Sequence, residues 1–461
     1  MTNHHFHPTM LREYDIRGIV GDTLHAADAY AIGRSFGTLI RRAGGSRVAL
    51  GYDGRLSSPM LAEALSAGLM ASGCTVLGIG QAATPMLYFA THHLSADGGI
   101  EITGSHNPPD HNGFKFVANG APFYGQQIQQ LGRLAAAGDW DSGEGAAQKV
   151  DVFDAYIDRL VEGFAGSSVR VGWDAGNGAA GPAVEALVKR LPGEHFTLFT
   201  AVDGHFPNHH PDPTEEKNLV DLRALVADKK LDFGLAFDGD GDRIGAIDGE
   251  GRIIWGDQLL QIFSEMVLKE VPGGTIIADV KASKALFDRV AALGGKPLMW
   301  KTGHSLIKAK MKEVGSPLAG EMSGHIFFAH GYYGFDDALF AAVKLIEAPT
   351  LLGRTVTQLR GAMAPMVNTP ELRFQVDESR KFAVIDEVLA RLAAGGVTVD
   401  RTDGARVTTA TGWWLLRASN TQDVLVARAE ASDAEGLAAL VAEIDRQLML
   451  SGIERGALAA H

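Results

Sequence analysis

Apolar and polar positions along the chain repeat one arrangement three times. An apolar run rich in β-branched residues ends in an aspartate at a turn, and a segment with helical periodicity follows. The runs are VALGYDGR, VRVGWDAGNG and GTIIADVKAS, whose strands end at Asp53, Asp174 and Asp279. These aspartates lie 121 and 105 residues apart, so the pattern predicts three α/β units of similar size. Ligands of such units bind at the loops that follow the carboxyl ends of the strands.

Helical periods and a change of pattern near the C-terminus predict the rest of the fold. The periodic segments are Ala27–Arg42, Met60–Gly73, Asp154–Phe164, Ala183–Arg190, Leu219–Asp228, Asp257–Lys269 and Lys284–Leu293. After Ala364, short strands in ELRFQVD, RVTTATGWWLLRAS and DVLVARAEA precede a helix in EGLAALVAEIDRQLML. We therefore expect three similar mixed α/β domains, at residues 1–150, 151–248 and 249–364, and a smaller α+β domain at 365–461.

Composition and charge narrow the class of protein. The 461 residues are 46% hydrophobic and 21% charged, as in proteins with a full-sized core, and no apolar run is long enough to span a membrane. The net charge of −13 argues against nucleic acid and anionic membranes as partners. The single cysteine, Cys74, excludes an intrachain disulfide, and the N-terminus does not resemble a signal peptide. We expect a cytoplasmic protein, most simply a monomer.

An acidic loop is the first candidate for chemistry. LDFGLAFDGDGDRIGAID places Asp238, Asp240 and Asp242 at alternate positions between two apolar strands. Three carboxylates this close repel one another unless a cation neutralises them, and Mg²⁺ and Ca²⁺ prefer oxygen ligands. An EF-hand calcium loop needs glycine and glutamate where this loop has Arg243 and Gly249. The loop therefore predicts a Mg²⁺ site, and the adjacent Arg243 guanidinium suits a phosphate of the substrate.

A serine-containing loop is the second candidate. ITGSHNPPDHNGFKF centres on Ser105; Gly104 lets the backbone bend before it, and two prolines stiffen the chain after it. Lys115 can return to the same pocket after a turn expected at Asn112–Gly113. Most serines in such loops form turns or caps. A hydroxyl in a rigid surface loop beside a lysine can instead carry a phosphoryl group whose oxygens a metal bridges.

Four motifs in sequence order resemble the α-D-phosphohexomutase superfamily. They are TGSHNP, DGDGDR, GEMSGH and RASNTQD, and the similarity extends from Tyr14 to Glu430. GEMSGH with the following IFF is most similar to the bacterial phosphomannomutase/phosphoglucomutase members. The resemblance implies three related α/β domains and an unrelated fourth around a central active-site cleft. It also implies an isomerase that interconverts the 1- and 6-phosphates of mannose and glucose through a phosphoserine, Mg²⁺ and a glucose or mannose 1,6-bisphosphate.

The resemblance also implies roles for individual residues. Ser105 would carry the phosphoryl group, and Lys115, His304 and His325 are the candidates for proton transfer. A carboxylate such as Glu321 can accept hydrogen bonds from two neighbouring sugar hydroxyls. The implied catalytic residues are Ser105, Lys115, Arg243, His304, His325, Arg17 and His106; the substrate-binding residues are Tyr14, Glu321, Ser323, Arg417, Ser419, Asn420 and Thr421; and the metal ligands are Ser105, Asp238, Asp240 and Asp242.

Other interpretations of the sequence are less favoured. GNGAAG, at residues 176–181, matches a dinucleotide-binding turn, and Asp203 follows at a suitable distance for a ribose. However, the charge of Asp174 lies where the pyrophosphate would bind, and Pro182 crowds the start of the helix, so we interpret this turn as a packing feature. Phosphoglucosamine mutase is the nearest alternative within the superfamily. A metal-dependent sugar phosphohydrolase and a non-catalytic sugar-phosphate-binding protein are the alternatives outside it.

Overall fold

A computed structural model describes residues 3–420 and 422–454, in which four β-sheets are surrounded by helices. The first sheet has the strand order β1-β5-β4-β2-β3-β7, with β6 paired to β5. The elements of this first unit are β1 (Ile16–Ile19), α1 (Ala26–Arg42), β2 (Arg47–Tyr52), α2 (Ser58–Ala71), β3 (Thr75–Gln81), α3 (Thr84–His93), β4 (Gly98–Ile102), β5 (His111–Ala118), β6 (Ala121–Pro122), α4 (Gln126–Ala137) and β7 (Ala146–Lys149).

The second unit has the strand order β12-β11-β10-β8-β9. The short strand β12 extends this sheet a few residues beyond the boundary expected at 248. The elements are α5 (Phe153–Val161), β8 (Val169–Asp174), α6 (Gly181–Leu187), β9 (Gly193–Leu198), a 3-10 turn (Glu216–Leu219), α7 (Val220–Lys229), β10 (Phe233–Phe237), β11 (Ile244–Asp248) and β12 (Ile253–Ile254).

The third unit has the strand order β14-β13-β15-β16, and its core is continuous with that of the second unit. The elements are α8 (Gly256–Glu270), β13 (Thr275–Asp279), α9 (Lys284–Ala292), β14 (Lys296–Trp300), α10 (His304–Val314), β15 (Leu318–Gly320), β16 (Ile326–Phe328), α11 (Ala338–Leu352) and α12 (Val356–Gly361).

The C-terminal unit is an antiparallel sheet with two helices and a separate core. Its strand order is β17-β21-β20-β19, with β18 paired to β21. The elements are β17 (Val367–Asn368), β18 (Leu372–Gln375), α13 (Glu378–Ala394), β19 (Ala405–Thr408), β20 (Gly412–Ala418), β21 (Val424–Ala431) and α14 (Ala434–Met449). None of the helices in the described part of the chain is long and apolar enough to cross a membrane.

The first three units share one topology. In each, a central strand is parallel to the next two strands of the unit, and the second of these turns through a hairpin into an antiparallel strand. The central strands β2, β8 and β13 are the ones predicted to repeat. The hairpin loops β4–β5, β10–β11 and β15–β16 contain the serine loop, the acidic loop and GEMSGH. Three candidate loops therefore occupy equivalent positions in three repeats.

The predicted fold class is confirmed, and two local expectations are wrong. All eight predicted helices form, with ends within a few residues of those expected. Asn112–Gly113 is not a turn, because both residues lie inside β5 and pair with Gly18 and Arg17 of β1. Pro182 does not crowd its helix, because it lies in the first turn of α6. A backbone N–H is not needed at that position, so proline is tolerated there.

Candidate active site

The three aspartates of the acidic loop converge inside the protein. Asp238, Asp240 and Asp242 have no exposed surface, and one oxygen from each lies within 4.8 Å of the others. The backbone N–H groups of Asp242 and Arg243 donate to Asp238 Oδ1, which fixes the curvature of the loop. Burial and the two neighbouring carboxylates raise the pKa of Asp238 well above its ordinary value. A cation among these oxygens would relieve that repulsion.

Lys115 supplies positive charge to this cluster. It lies buried on β5, with Nζ 2.7 Å from Asp240 Oδ2 and 2.5 Å from Asp242 Oδ2. Burial alone would lower the pKa of Lys115, but the aspartates raise it above its ordinary value. Lys115 is therefore a cation here, which can donate a proton but not accept one.

The donor set of this cluster fits a hard divalent cation. Oδ1 of Asp240 and Oδ1 of Asp242 are buried and have no hydrogen-bond partner among the described residues. Thr84 Oγ1 donates to Asp240 Oδ2 at 2.6 Å, which orients that carboxylate from the first unit. Carboxylate oxygens of this kind are the protein ligands that Mg²⁺ prefers, and Lys115 together with Arg243, whose Nε lies 4.0 Å from Asp238 Oδ2, still leaves three carboxylates with two cations.

The serine loop meets the acidic loop directly. Ser105 Oγ donates to Asp238 Oδ2 at 2.9 Å. The backbones approach so closely that a Cβ on Gly239 would lie 2.3 Å from the Ser105 carbonyl oxygen. Ser105 itself has a φ of +50°, a backbone conformation that non-glycine residues adopt at a cost. Pro108, Pro109 and Asp110 are exposed, so the loop reaches the surface as expected, but Ser105 itself is only 1% exposed because the second unit covers it.

Arg55, a buried residue that the sequence analysis missed, anchors the serine loop through its backbone. Arg55 pairs with Asp53 at the end of β2, with Nε 3.1 Å from Oδ2. Its guanidinium also donates to four backbone carbonyls of the loop, those of Ser105, Asn107, Pro108 and His111. The available signal was the first repeated aspartate, since Arg55 follows it by two residues in YDGR.

Arg17 and His106 lie beside the serine loop, each with an aspartate partner. Arg17 Nε donates to Asp15 at 2.8 Å, and a terminal nitrogen donates to Asn107 Oδ1 at 3.3 Å. His106 Nδ1 lies 2.8 Å from Oδ2 of Asp212, a residue of the second unit that the sequence analysis missed. Burial, and then the nearby Arg243, lowers the pKa of His106 to about 4. The imidazole is therefore neutral at physiological pH.

The two predicted histidines lie next to each other. The rings of His304 and His325 are stacked, with centroids 5.5 Å apart and planes inclined by 16°. Arg243 Nε donates to His325 Nε2 at 3.0 Å. His325 Nδ1 lies 3.6 Å from Asp242 Oδ1, so this pair of rings borders the acidic cluster.

The GEMSGH hairpin provides a buried carboxylate. Glu321 Oε1 accepts the backbone N–H of Gly303 at 2.7 Å. Gly303 belongs to the segment KTGH, residues 301–304, which leads into α10 and which we call the KTGH loop, so this hydrogen bond links the hairpin to that loop. Burial raises the pKa of Glu321 above its ordinary value. Ser323 is partly buried at the turn of the hairpin. These residues lie on the same hairpin as His325, as the motif predicts.

The RASNTQD motif, residues 417–423, spans the end of β20 and the connection to β21 in the C-terminal unit, and we call it the phosphate loop. Arg417 Nε donates to Asp403 at 2.9 Å, and Ser419 Oγ accepts the backbone N–H of Gln422 at 3.1 Å. Asn420 Nδ2 donates to the hydroxyl of Tyr14 at 2.7 Å. Thr421, the remaining predicted member of this loop, lies outside the described residues.

Tyr14 connects three of the four units. Besides accepting from Asn420, its hydroxyl donates to the carbonyl of Thr302 at 2.8 Å. Thr302 N in turn donates to Asp403 Oδ2 at 3.1 Å, so the partner of Arg417 also contacts the third unit. The first unit, the KTGH loop and the phosphate loop thus meet at one tyrosine.

The GNGAAG turn packs against the acidic loop. A Cβ on Gly178 would lie 2.8 Å from the carbonyl oxygen of Gly239, which accepts the N–H of Ala179 at 2.9 Å. Asp174, at the end of β8, lies 3.0 Å from His209 Nε2 and accepts the N–H of Gly176 at 2.9 Å. These glycines let the turn support the loop that contacts Ser105.

Comparison with known proteins identifies the family of the chain. Four family profiles match in succession: alpha/beta/alpha domains I, II and III of phosphoglucomutase/phosphomannomutase at residues 9–141, 154–251 and 255–366, and the C-terminal domain at 371–447. The repeated fold and its central site define the α-D-phosphohexomutase class. Within that class, the chain belongs to the phosphoglucomutase/phosphomannomutase family.

Relatives of known name cover almost the whole chain. A phosphomannomutase/phosphoglucomutase of Pseudomonas putida is 46% identical over 429 residues, 93% of each chain. A phosphoglucomutase of Neisseria gonorrhoeae is 42% identical over 92% of this chain and 93% of its own length. The crystal structure of a phosphoglucomutase/phosphomannomutase family protein from Burkholderia thailandensis superposes with a TM-score of 0.91 at 42% identity, covering 97% of this chain and 98% of that one.

Proposed function

We propose that this protein is a Mg²⁺-dependent phosphohexose mutase that interconverts the 1- and 6-phosphates of glucose and mannose. The observation that carries the proposal is the hydrogen bond between Ser105 Oγ and Asp238 Oδ2, 2.9 Å long and buried. It brings a hydroxyl that can carry a phosphoryl group to the edge of a carboxylate cluster that fits a cation. The family membership supports an intramolecular phosphotransferase.

In the proposed reaction, phospho-Ser105 gives its phosphoryl group to the free hydroxyl of a hexose phosphate. The bond from phosphorus to Ser105 Oγ breaks as a bond from phosphorus to the sugar oxygen forms, and a hexose 1,6-bisphosphate results. His304 and His325 are the candidate acceptors of the hydroxyl proton, and Lys115 is the candidate donor to the departing Ser105 oxygen. The bisphosphate then reverses in the cleft and returns its other phosphoryl group to the serine.

The chain's own residues would hold the cation and the substrate. Asp238, Asp240, Asp242 and an oxygen of the phosphoserine are the proposed Mg²⁺ ligands. Bound there, Mg²⁺ would offset negative charge on the transferring group. Lys115, Arg243, Arg17 and His106 surround the serine loop and suit its phosphate, whereas Tyr14, Arg417, Ser419, Asn420 and Thr421 suit the distal phosphate.

The sugar would be recognised at the groups that both orientations share. When a hexose phosphate reverses between C1 and C6, its 3- and 4-hydroxyls exchange places, so one fixed carboxylate such as Glu321 can bind them in both poses. Ser323 lies on the same hairpin and is proposed to assist. The 2-hydroxyl has no equivalent partner, and glucose and mannose differ only there. We therefore propose that both sugars are substrates.

We also propose the domain boundaries, the cellular location and the partners of the protein. We place the four domains at 1–150, 151–248, 249–364 and 365–461, with the active-site cleft between them. A single buried cysteine and a net charge of −13 support a cytoplasmic monomer that acts on small hexose phosphates and not on nucleic acid or membranes. Glucose or mannose 1,6-bisphosphate would act as intermediate and activator.

Activity measurements test the proposal directly. With a bisphosphate activator and Mg²⁺ present, glucose 1-phosphate and mannose 1-phosphate should differ in kcat/KM by no more than about two orders of magnitude, roughly 3 kcal/mol. Galactose 1-phosphate, inverted at C4, should be much poorer, because a buried carboxylate would lose a hydrogen-bond partner. Ser105→Ala should remove most turnover, and the intact mass of the wild type should include one phosphoryl group. Release of inorganic phosphate without isomerisation would instead indicate a hydrolase.

A further inference from the structure

A carboxylate outside all four motifs lies between the two histidines of the site. Asp336 follows β16, where its backbone pairs with Phe327, and its side chain is fully buried. Its Oδ1 accepts a hydrogen bond from Lys308 Nζ at 2.8 Å. Its Oδ2 lies 3.0 Å from Nδ1 of His325 and 3.5 Å from Nδ1 of His304. One oxygen therefore faces both imidazoles.

The hydrogen bond that His325 accepts at Nε2 determines which ring nitrogen carries its proton. Arg243 Nε is 3.0 Å from His325 Nε2, and a guanidinium can only donate. Nε2 must therefore present its lone pair, and a neutral ring then carries its proton on Nδ1. The closest carboxylate oxygen to that proton is Asp336 Oδ2 at 3.0 Å, because Asp242 Oδ1 is more distant at 3.6 Å.

Asp336 is suited to this role because it stays charged while buried. Burial alone would raise its pKa, but Lys308, His325 and His304 hold the pKa well below its usual range. Within the described part of the chain, Asp336 Oδ2 and the Nδ1 atoms of both histidines make no aligned hydrogen bond, and Oδ2 lies at ion-pair distance from both Nδ1 atoms, 3.0 Å from that of His325 and 3.5 Å from that of His304. A buried carboxylate with a free oxygen is costly, so the geometry assigns that oxygen to the imidazoles.

We propose that Asp336 is a positioning residue of this mutase, which faces the Nδ1–H of His325 and holds the imidazole in the orientation that lets Nε2 accept from Arg243. The proposal rests on the function proposed above. His304, stacked on His325, shares the same carboxylate oxygen, so Asp336 sets the orientation of both rings together. Lys308 balances its charge from α10, a helix that also begins at His304. The pair His325–Asp336 thus resembles other imidazoles whose tautomer a carboxylate determines.

The tautomer can be measured without substrate. Long-range ¹H–¹⁵N spectra of histidine-labelled wild type, saturated with Mg²⁺, should show His325 protonated at Nδ1, with His325→Gln serving to assign the signal. A His325 ring protonated at Nε2 would overturn the proposal, even if the protein is an active mutase. Conversely, absence of mutase activity with the expected tautomer would count against the function and not against the role of Asp336 in orienting the ring.

Two adjacent carboxylates give a matched pair of variants. Asp336→Asn should lower kcat at least about tenfold, as when the carboxylate that orients a functional histidine is removed, while KM changes by less than about threefold. The Nδ1–H signal of His325 should also move upfield and exchange faster, because the proton loses its carboxylate acceptor. Asp337→Asn is the control, because this equally buried neighbour accepts hydrogen bonds from the hydroxyls of Tyr156 and Tyr332 and caps α11. It should lower the melting temperature but leave kcat within about threefold.

The outcomes separate positioning from general destabilisation. Equal loss of kcat in both variants, or an Asp336→Asn enzyme within about threefold of wild type, would overturn the proposal. If Asp336→Asn does not fold, the Nδ1–H signal of wild-type His325 decides: a downfield, slowly exchanging proton would show the carboxylate acceptor, and an ordinary, rapidly exchanging one would overturn the proposal.

Discussion

The Arg55 side chain gives a quantitative test of how the serine loop is held. We expect Arg55→Met to destabilise the first unit and to lower kcat, because this buried guanidinium connects the end of β2 to the loop. It is 1% exposed and pairs with Asp53 at 3.1 Å. It also donates to the carbonyl oxygens of four loop residues, Ser105, Asn107, Pro108 and His111.

The magnitude follows from the groups left without a partner. Removing one member of a buried ion pair costs about 3–5 kcal/mol. Asp53 keeps hydrogen bonds from Ser58 Oγ and the N–H of Gly104, which places the cost near the lower figure, about 3 kcal/mol. For a unit of this size, about 2–4 °C of melting temperature is lost per kcal/mol, so Tm should fall by roughly 6–12 °C. Loss of the four hydrogen bonds to loop carbonyls should also lower kcat by about tenfold or more, because Ser105 would no longer be held in position.

Thermal denaturation and mutase assays on one matched pair check this reasoning. The control is Arg42→Met in the same unit, because Arg42 pairs with Asp139 and Asp141 at 2.8 Å but is largely exposed. Exposed pairs contribute about 0–1 kcal/mol, so this variant should melt within about 3 °C of the wild type and keep its kcat. An Arg55→Met protein with a wild-type Tm and kcat would show that the loop is stabilised by other contacts.

Three further changes have defined expected outcomes. Asp240→Asn should weaken Mg²⁺ binding measured by calorimetry and lower kcat by about 10²-fold or more, whereas full wild-type activity in excess EDTA would contradict a metal site. Gly239→Ala should lower Tm and kcat together, because its Cβ would lie 2.3 Å from the Ser105 carbonyl oxygen; unchanged values would mean that the two loops separate without cost. Burial would lower the pKa of His209, but the interaction with Asp174 raises it overall. The His209–Asp174 pair therefore stabilises the folded protein fully below about pH 6.5, the ordinary pKa of histidine, and this stabilisation is lost as the pH rises through the raised pKa. His209→Gln should therefore flatten that part of the Tm–pH profile, and an unaltered profile would exclude the pair as its cause.

Local sequence patterns were enough to predict the repeated elements and the kinds of groups in the site. Helical and strand periods are local, so eight of the helices and the central strands β2, β8 and β13 could be predicted from neighbouring residues. The aspartates of the acidic loop also lie within five positions, and their mutual repulsion predicts a cation without knowledge of the fold. The motifs then assign Ser105, GEMSGH and the phosphate loop by resemblance.

The tertiary structure decided which of these groups meet and what holds them. Ser105 and Asp238 are separated by 133 positions, and only the packing of the first unit on the second brings them within a hydrogen bond. The same packing buries Ser105 within a loop that otherwise reaches the surface, and it places Asp212 beside His106. The equivalence of the three loops is likewise a property of strand order, since their sequences share no pattern.

The residues that hold the site in place, Arg55 and Asp336, could not be predicted from the sequence, for a physical reason. Arg55 and Asp336 act through atoms contributed by distant segments: backbone carbonyls in one case and two imidazoles in the other. The local sequence pattern indicates which positions of one helix or strand are buried. It does not indicate which residues of other helices, strands or loops pair with a buried charge. Since an unpaired buried charge is costly, only the folded chain shows how each is satisfied and therefore which residues orient the site.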